Sequence, residues 1–187
     1  MALPFLACMV ATAAWYHLPP RVLPSIHAVE GGRPGLTRQN TNGSVDLGLM
    51  QVNSLWIPSL ARLSGLPEAE VRARLIHDAC FNIAAAGAIL RGYLDEANGA
   101  LLVAVGWYHS HTPARGDAYR ARVLRKAELL FTRECAPDRA RACAPSIAQN
   151  RPAVDVGSAT VTPGSPPPRL SLSRTSLPVV SLQARNR

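Results

Sequence analysis

The sequence is short of acids, of aromatic rings and of long apolar runs. Only 12 of its 187 residues are Asp or Glu, against 20 Lys and Arg, so the formal charge is +8. No run reaches the roughly 18 apolar residues of a membrane-spanning helix, and no span is expected. Neither Cys-x-x-Cys nor His-Glu-x-x-His occurs, so the zinc signatures with those spacings are excluded. The first basic residue is Arg21, so the apolar stretch from Met1 to Ala14 lacks the positive start of a secretory signal. Aromatic rings stop at Phe131. The last 52 residues have none, hold 8 of the 16 prolines, and carry 7 basic groups against 2 acidic ones. Such a segment cannot bury enough surface to fold alone. The expected organisation is one folded domain over residues 1–133 and a basic, disordered Pro/Ser/Arg-rich tail over 134–187.

The body has what the tail lacks. With 48% hydrophobic residues in the chain, a real core is available. Two readings of the N-terminus compete. Ala11-Thr12-Ala13 resembles a small-residue cleavage site, while Phe5, Cys8, Met9, Thr12, Ala13 and Tyr16 share one face of a helix from Pro4 to Tyr16. The helix is preferred. Further helices are read over 20–30, from Ser54 as cap to Leu63, from Pro67, over 79–97 with Asp78 as cap, over 101–108 and over 117–131. Strand signals are weak apart from a short hairpin at about 37–47, turned at Asn42-Gly43. The fold class is mainly α, without internal repeats.

Four cysteines stand at 8, 80, 135 and 143. Cys8 and Cys80 fall in candidate helices of the body and are the preferred pair, which would imply an oxidising compartment. Two buried free thiols are the alternative. Cys135 and Cys143 remain unassigned.

Three segments could do chemistry. Glu30 ends an apolar helix and is followed by two glycines. The helix's negative end and apolar surroundings both disfavour an ionised carboxyl, as a general acid requires. Gly48-Leu49-Met50-Gln51-Val52-Asn53 offers close backbone approach, amides suited to sugar hydroxyls and an adaptable thioether. Trp107-Tyr108-His109, with Tyr119 beyond, offers rings for sugar faces. The first two have ordinary structural readings: an exposed helix-end glutamate and a helix start. His109-x-His111 is not a helical ligand pair, so no metal and no cofactor is expected.

In this order the three segments resemble the lysozyme-like lytic transglycosylases of the goose-type and soluble kind, in the branch serving conjugation, type IV pilus and secretion machines. The resemblance covers about residues 5–130. It rests on Val29-Glu30-Gly31-Gly32, Asn40-Thr41-Asn42-Gly43-Ser44, Gly48 to Asn53, Cys80-Phe81-Asn82-Ile83, Trp107-Tyr108-His109 and Tyr119 to Leu124. It departs at Gly31, commonly serine, and at His109, commonly asparagine. It implies Glu30 as sole catalytic acid/base. Gly48, Met50, Gln51, Asn53, Tyr108, His109 and Tyr119 would contact the glycan, and Asn82 would be structural. The implied reaction cuts the bond between N-acetylmuramic acid and N-acetylglucosamine in peptidoglycan and leaves a 1,6-anhydro end. The implied setting is the bacterial envelope or periplasm, as a monomer acting on glycan strands beside an envelope-spanning apparatus. Nucleic acid is not an expected partner, because the tail's scattered arginines lack stacking rings. Two alternatives stay open: a hydrolytic muramidase using Asp46 as second carboxylate, and a non-catalytic wall-binding scaffold.

Overall fold

The computed structural model describes residues 3–132, so the tail, Cys135 and Cys143 lie outside the described residues. The described chain is mainly helical: α1 (Leu6–Trp15), α2 (Val22–Glu30), β1 (Thr37–Gln39), β2 (Val45–Leu47), β3 (Val52–Asn53), α3 (Ile57–Ser64), α4 (Glu68–His77), α5 (Ala79–Glu96), α6 (Leu101–His109) and α7 (Pro113–Phe131).

The core forms around α5. Its sequence is apolar on every side, with alanine and glycine where neighbours come close, and it is buried from Phe81 to Leu90. A helix apolar all round belongs at the centre of a bundle. It starts where the Asp78 carboxylate accepts from the Phe81 N–H at 3.0 Å. Helices α1, α4 and α6 pack on it, and α2 and α6 pack on α7. Among the described residues no single helix is long and apolar enough to cross a membrane.

Helix α1 turns Met9, Thr12, Ala13 and Tyr16 inward. Phe5 does not follow them. It takes a left-handed conformation ahead of the helix and is 42% exposed, so the buried face is one residue shorter than the period predicts. A disulfide joins Cys8 to Cys80, with Cα atoms 5.5 Å apart and a separation of 72 positions in sequence. Closing a loop of that size stabilises a fold by about 4 kcal/mol in the chain-entropy view. Further along, a Cβ at Gly87 would lie 2.3 Å from Thr12 Cγ2 and 2.9 Å from Tyr16 Cδ2. The two helices therefore run side by side in the same direction, with α5 backbone against α1 side chains.

Burial against α5 lifts the Tyr16 phenol to about 12 from 10.0. A raised folded value means that the unfolded chain ionises first. This contribution is therefore intact below pH 10 and is lost between pH 10 and about 12. Tyr16→Phe should flatten that alkaline decline in melting temperature. An identical alkaline limb in the variant would contradict the assignment.

The sheet is antiparallel in the order β1-β2-β3, with Arg38 opposite Asp46 and Asp46 opposite Asn53. The hairpin falls at the expected residues. Gly43 takes φ 79°, and the Asn42 side chain accepts from Ser44 N–H at 3.1 Å. Three local readings need correction. Strand β3 was not anticipated, because two residues leave no alternation to read. Ser54 is not a helix cap. Asn53 caps the short 3-10 turn Ser54–Trp56 by accepting from Leu55 N–H, while the Ser54 hydroxyl accepts from Val45 N–H. Helix α7 begins at Pro113, four residues before Asp117, because proline suits the first helical position, where no amide donor is needed.

Candidate active site

Glu30 is the last residue of α2 and is only 4% exposed. Gly31 follows in the left-handed region at φ 60° and returns its N–H to His27 O at 2.9 Å, which ends the helix under the carboxyl. The Arg38 guanidinium, from β1, donates to the Glu30 carbonyl at 3.3 Å and satisfies one of the helix's open carbonyls. Burial holds the His27 imidazole below its ordinary value, against the opposing effect of its contact with Gly32 O.

The Gly48–Asn53 block sits directly behind this helix end. A Cβ at Gly32 would fall 2.3 Å from the carbonyl oxygens of both Gly48 and Leu49, so the two backbones touch. Gly48 itself takes φ 69°, and a Cβ there would fall 2.0 Å from Leu75 O. Asn82, reaching up from α5, fixes the block from below. Its Oδ1 accepts from Met50 N–H at 2.7 Å, and its Nδ2 donates to Leu47 O at 2.8 Å and Leu75 O at 2.7 Å. Asn82 is fully buried, so every one of these bonds is made away from water.

The third segment closes over the carboxyl. The Tyr119 hydroxyl donates to Glu30 Oε1 at 2.7 Å, across 89 residues of sequence. The His109 ring lies parallel to the Tyr119 ring, with centroids 4.8 Å apart and planes 4° apart. Tyr108 stacks on Tyr119 at 6.5 Å and donates its hydroxyl to Met50 O at 3.1 Å. Helices α6 and α7 come close enough for this because Gly106 faces Gly116. A Cβ on Gly106 would lie 3.1 Å from Gly116 O, and one on Gly116 would lie 2.8 Å from Ser110 O. Isolated glycines inside helical patterns are the signal that could have found this seam in the sequence.

Glu30, Tyr108, His109 and Tyr119 are thus brought together, with Tyr119 in direct contact with Glu30. The side chains of the 48–53 block, expected to contact the glycan, are turned inward in the structure. Met50 and Gln51 are fully buried and Asn53 is 1% exposed. Gln51 donates Nε2 to Gly48 O, and Asn53 donates Nδ2 to Asp46 Oδ1 and Ser44 Oγ, both at 2.9 Å. These side chains face inward because three strands and α5 close over them. The block supports the site through its backbone, and Gly48 serves close packing. Asp46 is fully buried in β2 and is held by Asn53, so its role is to fix the sheet. Arg38 was missed because its approach to Glu30 depends on strand pairing. Among the described residues no three His, Cys, Asp or Glu side chains gather as a metal cluster.

The site therefore offers one buried carboxyl at a helix end, a phenol bonded to it, and parallel rings beside it. No family model matches the chain. It is similar, at a distance, to the protein named Invasion protein IagB. The versions from Salmonella typhimurium strains SL1344 and LT2 and from Salmonella typhi are each 28% identical to it over 120 residues. That stretch is 64% of this chain and 71% of each relative.

Proposed function

We propose that this chain is a lysozyme-like peptidoglycan lytic transglycosylase that acts in the cell envelope with Glu30 as its only acid/base. The observation that carries the reading is the pair of environments around the two nearby acids. Glu30 stands at a helix end under the Tyr119 hydroxyl, while Asp46 is locked inside the sheet by Asn53. Glycosidases that retain configuration with two carboxyls hold them roughly 5–5.5 Å apart, facing the same sugar. An Asp46 committed to the sheet does not serve as that second group. The relatives named as invasion proteins fit a cell-envelope setting.

The chemistry follows from one carboxyl. Glu30 gives its proton to the glycosidic oxygen as the bond from that oxygen to C1 of N-acetylmuramic acid breaks. The substrate's acetamido oxygen stabilises the positive charge at C1. The Glu30 carboxylate then takes the proton of the sugar's C6 hydroxyl, whose oxygen bonds to C1 and displaces the acetamido group. The product is a 1,6-anhydro ring, water is not consumed, and Glu30 is again protonated. Tyr119 holds the carboxyl in one orientation through both transfers.

Mass spectrometry of fragments released from purified peptidoglycan tests this directly. Ends 18 mass units lighter than reducing ends, as loss of one water requires, are expected. Reducing ends in their place would convert the protein to a hydrolase and return attention to Asp46. Absence of any fragment would favour a wall-binding scaffold.

A further inference from the structure

We infer that Arg122 binds the carboxylates of the peptide stems carried by N-acetylmuramic acid, so that this site prefers glycan with ionised stems to glycan whose stem carboxylates are neutralised. The inference rests on the reading of Glu30 just given and adds a recognition element to it.

Arg122 lies on α7 one turn beyond Tyr119. Its guanidinium carbon sits 5.4 Å from the centre of the Tyr119 ring. The hydroxyl of that same ring is bonded to Glu30. One tyrosine therefore separates an exposed cation from the acid/base carboxyl. Several other arginines are occupied, and Arg21 lies over the Phe131 ring at 5.0 Å. Arg74, Arg91 and Arg120 pair with Glu70, Asp95 and Asp117. Arg38 is held by the Glu30 carbonyl and Arg62 by Ser59. Among the described residues no carboxylate pairs with Arg122. Its ring contact with Tyr119 orients the guanidinium while leaving its N–H edge open to a ligand.

The substrate supplies what this cation lacks. The sugar rings of the glycan are neutral. Charge enters through the peptide attached to the lactyl ether of each N-acetylmuramic acid, beside the bond to be cut, and that peptide carries free carboxylates. A planar guanidinium binds a carboxylate through two parallel hydrogen bonds. Arg125 and Lys126 are exposed further along the same helix and extend the positive surface beyond Arg122.

The test compares kcat/KM of the full chain on untreated peptide-bearing glycan strands and on the same strands with their stem carboxylates converted to neutral amides. The wild type should prefer the former by about 10-fold or more, the range expected for a charged hydrogen bond. Arg122→Gln should bring the ratio to near one, mainly through KM on the untreated strands. Arg122→Lys should keep an intermediate preference because it keeps the charge. Circular dichroism checks that the variants are folded. A wild type that cuts both strands equally well would overturn the inference while leaving the proposed activity intact. An equal loss on both substrates in Arg122→Gln would make the residue a prop for Tyr119 and would also overturn it. A wild type that cuts neither would remove the proposed activity and this inference with it.

Discussion

Glu30→Gln should lower release of 1,6-anhydro fragments about 1,000-fold or more while leaving the melting temperature nearly unchanged. The magnitude follows from the demand on one group. Both proton transfers pass through the same carboxyl, and positioned acid/base groups contribute roughly 10²–10⁴-fold for each role. The unchanged fold follows from geometry. Glutamine has the same shape, and its amide oxygen can still accept from the Tyr119 hydroxyl, which now meets Glu30 Oε1 at 2.7 Å. The backbone carbonyl that Arg38 holds is untouched. Rate and thermal unfolding should be measured on the same preparation. Turnover at the wild-type rate would remove Glu30 from the mechanism. Loss of activity together with loss of fold would make it a structural residue.

The second large effect is on stability. Asn82→Ala should destabilise the domain by about 4 kcal/mol or more, read as a lower urea midpoint with an unchanged slope. The side chain makes three hydrogen bonds from a fully buried position, to Met50 N–H, Leu47 O and Leu75 O. Alanine would leave three backbone groups without partners, each at about 1–3 kcal/mol. Total stabilities of single domains are roughly 5–15 kcal/mol, so the variant should be close to unfolding at ambient temperature. A change below about 1 kcal/mol would mean that water or a shifted backbone replaces all three bonds. Methods that report local opening should also show faster exchange of the Met50 amide in the variant.

Asn82 also shows which parts of the site were legible in the sequence and which were not. The resemblance implied a structural asparagine there, but not which groups it holds, since its partners lie 32 and 35 residues back for Met50 and Leu47. Local signals served well. The Asp78 cap, the Asn42-Gly43 turn, the glycine stop after Glu30 and the apolar surround of α5 are all set by residues within one or two turns of each other. The inward placement of the polar block after Gly48 was not legible, for a physical reason. Amide side chains in a row look equally ready for a ligand or for an internal network, and only the strand pairing decides. Here β3 turns Asn53 toward Asp46 and Ser44, and the amides are used inside. Arg38 and Arg122 carried no signal because a lone arginine is usually solvated surface. Their meaning comes from proximity to Glu30 and Tyr119, which are far apart in sequence.

That distance has a consequence for the order of events during synthesis. The phenol that meets Glu30 belongs to the last described helix, 89 residues downstream. A nascent chain still emerging from the ribosome has its carboxyl long before it has Tyr119, and the Gly106–Gly116 seam cannot form until α7 exists. A product truncated before residue 113 therefore carries Glu30 without the partner that orients it. Under the proposed activity, a bond-cutting centre is withheld until nearly the whole domain has been made and packed.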